Sequence, residues 1–236
     1  MLVLAFDTCD ARGSIALVRD SAVLAAVTHP PAEEYSSWLI PAANAVLHSA
    51  SVSHTDLEGY AVATGPGSFT GVRVGLTTVK AWSEVFAKPV AAVSRLEALA
   101  SLAAASSPFV AAFIDAHRGQ LFGALYSRCG ERLERIEDEL VTPPAAFLEW
   151  VLARASGCQI AWLSLDPQIL TTLDAWKPRS ARGERVESAP AQLASRIAHL
   201  GIRQIAHGRA ADPLTLDANY VRRSDAELFS KKSAAP

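Results

Sequence analysis

The sequence predicts an α/β protein built from two sets of strands and helices, and three observations point there. Short continuous apolar runs at residues 2–6, 60–64 and 109–115 have the length of buried strands. Stretches with apolar residues at three- and four-residue spacing alternate with them, in the order βββαβαβα followed by a second β-then-α set. The small polar joint Ser106-Ser107-Pro108 separates the two sets, so the chain divides into residues 1–106 and 107–236.

Each element has its own reason. Residues 2–6 end in Asp7, and residues 13–18 and 22–28 follow as two more strands across the polar break Arg19-Asp20-Ser21. Pro30-Pro31 stops the sheet. From residue 33 to 50 the apolar residues fall at helical spacing, and Pro41 predicts a kink or restart because an interior proline costs about 3 kcal/mol. Ser53 and Asp56 are spaced as a capping box before the strand at 60–64. A long helix covers 69–87, Pro89 ends it, and a strand at 90–94 leads to an Ala-rich helix at 95–105. In the second half, residues 109–115 and 121–126 form a hairpin through His117-Arg118-Gly119. A charged stretch at 131–139 precedes Pro143-Pro144 and a helix at 145–155. A strand at 159–163 and a helix at 192–200, with Gly201 at its C′ position, complete the set. Residues 231–236 are small and polar and predict a frayed end.

Composition excludes several classes. Half the residues are hydrophobic, which rules out wholesale disorder. With 22 Lys+Arg against 24 Asp+Glu the net charge is −2, so bulk electrostatics do not hold this chain on nucleic acid, although a local patch is allowed. Cys9, Cys129 and Cys158 are too scattered for a disulfide framework or a Cys-based zinc site. No run approaches the roughly 20 apolar residues of a membrane span. The expectation is a soluble cytoplasmic protein with no membrane partner.

The most informative stretch is Gly65-Pro66-Gly67-Ser68-Phe69-Thr70-Gly71-Val72-Arg73-Val74-Gly75. It leaves a strand and opens a helix, where backbone N–H groups can hold an anion. It lacks the Lys-Ser/Thr of a Walker A loop and the Gly-x-Gly-x-x-Gly spacing, so a tight structural turn and an anion site both remain open. Asp7, Gly67 and Ser68 are the candidates for a cofactor site. Gly75 sits inside a helix, where it costs about 1 kcal/mol relative to Ala. Gly71 and Gly75 share one helix face and leave a flat strip, against either the protein's own sheet or a partner's helix.

That glycine run strongly resembles the signature of the TsaB (YeaZ) family. Leu4-Ala-Phe-Asp-Thr8, Asp115-Ala-His-Arg-Gly-Gln120 and Asn219-Tyr-Val-Arg222 are similar to further family segments, so the resemblance covers essentially the whole chain. Two departures are Tyr35, where members often carry His, and Gln120 in place of an acidic residue. The resemblance implies an actin-like, Hsp70-like two-lobed fold. It also implies a non-catalytic role in tRNA threonylcarbamoyladenosine biosynthesis, pairing through the first lobe with a TsaD-like catalytic subunit, with a TsaE-like ATPase joining and tRNA reached through the complex. ATP and metal are then expected on the partner subunits and not on this chain. The flat strip is placed at the partner interface with Trp38, Gly71, Arg73, Gly75, Thr78, Val79 and Trp82, and the same face would form a homodimer when the chain is alone.

The competing reading is an ATP-binding transferase or kinase of the actin-like superfamily, with a metallopeptidase as the weaker third. No two of the six histidines are four apart, as a His-Glu-x-x-His helix requires. In the segment resembling the metal-binding run of the catalytic paralogue, Arg95 and Leu99 stand at the two ligand positions, and neither side chain coordinates a divalent metal. Asp7 is read as a turn-capping carboxylate or an orienter of a magnesium-bound water. Cys9 lacks an activating neighbour in sequence, and Ser68 lacks a Gly-x-Ser-x-Gly elbow. No catalytic residue is assigned. His117, Arg118, Arg222, Arg223, Lys231 and Lys232 are candidate tRNA or partner contacts, with a solvated surface as the plainer role.

Overall fold

The structure, a computed structural model, describes residues 1–130, 132–155 and 157–221. The readings on Arg222, Arg223, Lys231, Lys232 and the frayed end lie outside the described residues.

In the first unit β1 (Leu2–Asp7), β2 (Ser14–Arg19) and β3 (Ala22–Thr28) form an antiparallel meander. Helix α1 (Tyr35–Ser49) follows and runs through Pro41 without a restart. Pro41 lies on the exposed side, where the carbonyl its missing N–H leaves unbonded can meet water. The capping box at Ser53 and Asp56 is present, with the Ser53 N–H donating to Asp56 Oδ2 at 2.8 Å. Strand β4 (Gly59–Ala63), helix α2 (Phe69–Phe86), strand β5 (Val90–Val93) and helix α3 (Arg95–Ala100) complete the run. The sheet order is β3-β2-β1-β4-β5, with β4 and β5 parallel to β1.

The second unit contains β6 (Phe109–His117), β7 (Gln120–Cys129), β8 (Arg132–Arg135), β9 (Leu140–Thr142), α4 (Pro144–Ala155), β10 (Ile160–Ser164), α5 (Gln168–Thr171), α6 (Lys177–Ala181) and β11 (Val186–Ser188). Its order is β11-β10-β6-β7-β8, with β9 also on β7. Read from the other edge, this repeats the first sheet: an antiparallel hairpin on one side of the opening strand and parallel strands on the other. The duplication belongs to the actin-like class that the sequence resemblance implies, although no sequence repeat announces it.

The chain divides into two units, and the division is not a single cut at residue 106. Residues Ala189–Ala218 belong with Met1–Ala103, while the second unit comprises Ala104–Ser188 and resumes at Asn219. The cause is helix α7 (Ala194–Ala206), which lies on the first sheet. The helix expected at 192–200 continues past Gly201, which is buried in its interior and is no cap. In register across the sheet, Ala26, Ala16, Ala5, Ala61 and Ala91 form a flat row on one face. A Cβ on Gly201 would lie 2.6 Å from the Cβ of Ala61 and 3.1 Å from that of Ala91, so the missing side chain lets α7 settle onto the alanines. The opposite face carries Leu4, Phe6, Ile15 and Tyr60, and α1 and α2 cover it; Phe6 and Tyr60 both reach Trp82 of α2, with ring centroids 5.7 and 6.0 Å apart. Among the described residues no helix is long and apolar enough to cross a membrane.

Candidate functional site

The strand β1 ends at Asp7, and the residues that follow it are held from within the chain. Ser94 caps α3 by accepting from the N–H groups of Leu96 and Glu97, which puts Arg95 at the helix start beside the end of β1. Arg95 Nε donates to Asp7 Oδ2 at 3.1 Å, and its Nη2 lies 2.8 Å from Asp10 Oδ2. The Arg95 and Asp7 side chains are 1% and 0% exposed. Asp7 Oδ1 also accepts the Cys9 N–H at 3.0 Å, the turn-capping contact expected of it. Tyr35 closes the loop from the other side, donating to the Asp10 carbonyl and stacking on His29 with ring centroids 4.0 Å apart.

The electrostatics follow from this enclosure. Burial opposes a charge on Arg95, yet Asp7 and Asp10 hold the guanidinium pKa above its ordinary value. Burial likewise opposes ionisation of Asp10, but the Arg95 charge and hydrogen bond, aided by Arg12, keep its carboxyl below the usual range. Cys9 is pushed upward by burial and then by the Asp7 charge, so its thiol stays protonated. The Asp7 carboxylate, read as a possible orienter of a magnesium-bound water, is paired with an internal cation.

The glycine turn is also engaged internally. The Ser68 N–H donates to the Cys9 carbonyl at 2.6 Å. Ser68 Oγ accepts the Gly71 N–H at 3.3 Å as the α2 N-cap, and the Ser68 carbonyl takes the Val72 N–H. Those amides are therefore turned away from an anion. A side chain on Gly67 would collide with Cys9, and one on Gly71 or Gly75 with Thr8. Thr8 Oγ1 donates to the Gly71 carbonyl at 2.7 Å, which fixes the first turns of α2 against the loop. The strip placed at a partner interface is thus packed on the protein's own first loop, and the reason is this close backbone approach.

The other interface residues divide. Val79 is fully buried and Trp38 is 7% exposed, so both belong to the core. Thr78 and Trp82 are half-buried, and Arg73 is exposed, its guanidinium 3.8 Å from the Phe69 ring centroid. The outer surface of α1 and α2 instead carries apolar residues that sequence reasoning missed: Ile40 at 49%, Phe69 at 43% and Val85 at 74% exposure. A helical projection carries the signal, since Val85 falls off the buried stripe of Val72, Leu76, Val79 and Ser83. In the second unit His117 ends β6 and Arg118 follows it in the turn to β7, both with positive φ, and His117 Nδ1 lies 3.3 Å from Asp115 Oδ2. Among the described residues no three His, Cys, Asp or Glu side chains gather as a metal site.

The chain is similar to known proteins. The family model described as TsaD, tRNA N6-adenosine threonylcarbamoyltransferase, matches residues 23–198. The tRNA threonylcarbamoyladenosine biosynthesis protein TsaB of Escherichia coli is 30% identical over 179 residues, covering 66% of this chain and 77% of that protein. The chain belongs to the TsaB (YeaZ) family. The TsaB protein of Bacillus subtilis is 29% identical over 229 residues, 96% of each chain. A crystal structure described as an uncharacterized protein with similarity to peptidase YeaZ from Pseudomonas aeruginosa has the same fold, with a TM-score of 0.74 at 23% identity over 94% of this chain and 99% of that one. Within a TsaB fold, then, the loop after β1 is filled by Arg95, and α1 and α2 expose Ile40, Phe69 and Val85.

Proposed function

We propose that this chain is a non-catalytic scaffold subunit of the cytoplasmic machinery that makes threonylcarbamoyladenosine in tRNA. It docks the outer face of α1 and α2 onto a TsaD-like catalytic subunit, which carries the ATP and metal, while a TsaE-like ATPase and the tRNA join through that pair. The observation that carries the reading is the buried Asp7–Arg95 pair. A first-strand carboxylate held by an internal guanidinium is a poor partner for magnesium and phosphate, because the guanidinium would have to be displaced from its buried ion pair. The docking surface is supported by the apolar side chains of Ile40, Phe69 and Val85, which gain by leaving water. Without the partner the same face joins two copies of the chain.

Calorimetric titration of the isolated chain with ATP and magnesium tests the first half. The scaffold reading expects no heat of binding, and micromolar affinity would favour an ATP-using transferase or kinase instead. Co-purification of the chain with a TsaD-type partner tests the second half.

A further inference from the structure

We propose that the outer stripe of α7 is a contact surface for the phosphate backbone of RNA, an inference that rests on the tRNA reading above. From residue 188 to 211 the chain has three arginines, Arg196, Arg203 and Arg209, and no Asp or Glu. This segment alone carries +3, so the rest of a chain of net charge −2 sums to −5. Arg196, His199, Arg203 and His207 are spaced three, four and four apart, which aligns them on one helix face. The inner face, with Ala194, Ile197, Ala198 and Gly201, is buried on the sheet.

The two arginines of the stripe, and Arg209 just beyond the helix, are not neutralised. Arg196 donates to the Ser101 carbonyl at 3.1 Å, and Arg203 and Arg209 are exposed. None of the three forms an ion pair with a described carboxylate. Helix stability does not account for the pattern. A cation in the last turn is favoured by the helix dipole, but Arg196 lies in the first turn, where the dipole disfavours it. From residue 196 to 207 the stripe runs about 16 Å along the helix axis, long enough to follow several phosphates of an RNA strand. It also lies on the opposite face of the sheet from α1 and α2, so a partner docked there leaves the stripe open.

The test is fluorescence anisotropy of a labelled, unmodified tRNA transcript with the full chain between 50 and 200 mM salt. Binding is expected to weaken with salt, with a log–log slope of about −2 to −3 for three phosphate contacts. The Arg203→Glu/Arg209→Glu variant is expected to weaken binding at least tenfold, with its thermal midpoint within a few degrees of wild type because Arg203 also favours the helix C-terminus. A control with the same charge change, Arg182→Glu/Arg185→Glu in the second unit, is expected to bind like wild type. Absence of binding at 50 mM salt, equal losses in both variants, or no loss in either overturns the inference. Displacement of the tRNA by polyglutamate at equal charge overturns it too, in favour of an acidic protein. Co-purification with the catalytic partner is read separately: wild type failing there sinks the scaffold reading, whereas a variant that docks and still binds tRNA normally sinks only this one.

Discussion

Arg95 and Asp7 meet at 3.1 Å with 1% and 0% of their side chains exposed, and the pair joins the start of α3 to the end of β1. The Arg95 N–H also donates to the Gly65 carbonyl at 2.8 Å, so one residue ties down both the first-strand loop and the glycine turn. From there Cys9 and Thr8 pass the constraint to the first turns of α2 through Ser68 and Gly71. The start of α2 is thereby set by a buried ion pair.

Removing one partner of such a pair leaves the other buried and uncompensated, at a cost of about 3–5 kcal/mol. Arg95→Ala is therefore expected to lose stability of that order in urea unfolding. Asp7→Asn combined with Arg95→Gln is expected to recover part of it. A loss under about 1 kcal/mol for Arg95→Ala would show that the pair does not hold the loop.

Gly75→Ala would raise helix propensity by about 1 kcal/mol in open solvent. Here the new methyl meets Thr8, so a net loss of about 1–3 kcal/mol is expected, and Gly75→Leu is expected not to fold. Thr8→Gly in the Gly75→Ala background should return part of the loss. Stability of Gly75→Ala at or above wild type by thermal unfolding would place the helix further from the loop than described.

The acid limb of stability follows from Asp10. Its folded-state pKa is depressed, so it contributes stability that is complete above its unfolded value near 4 and is lost as pH falls through the folded value. Asp10→Asn is expected to lower stability at neutral pH and to flatten the fall below about pH 4. His54 acts in a higher window. Burial lowers its pKa, so the unfolded chain takes up protons first, and stability decreases as pH drops below about 6.5. His54→Phe, at a ring stacked on Phe86 and tilted against Trp82, should remove that slope in pH-dependent urea unfolding. An unchanged slope would assign it to another group.

Much of the architecture was readable in the chain, because continuous apolar strands and the spacing of Val72, Leu76 and Val79 are strong local signals. What escaped depended on long-range neighbours. The alanine row that seats Gly201 exists only once β1, β2, β4 and β5 are in register, so Gly201 read as a stop. Strands β8 and β11 are short, partly charged and at sheet edges, where strand propensity is weak. Arg95 was recognised as unfit for a metal, but its pairing with Asp7 across 88 residues has no local signature. The glycine strip was legible as a close approach, while the surface it approaches was not. Distinguishing Thr8 from a partner required the packing of α2.

The proposed docking face is tested by Val85→Arg. At 74% exposure this change should alter stability by less than about 0.5 kcal/mol. Affinity for the TsaD-like subunit is expected to fall about a hundredfold, as for a central apolar anchor replaced by a charge. Unchanged affinity by surface plasmon resonance would move the interface elsewhere.

The most direct measurement is reconstituted formation of threonylcarbamoyladenosine on tRNA, with the catalytic subunit and ATPase supplied and this chain omitted, added, or added as Val85→Arg. The account predicts product only when the wild-type chain joins its partners, little with Val85→Arg, and none from the chain alone. Product from the chain alone with ATP and magnesium, or full activity in its absence, would contradict it.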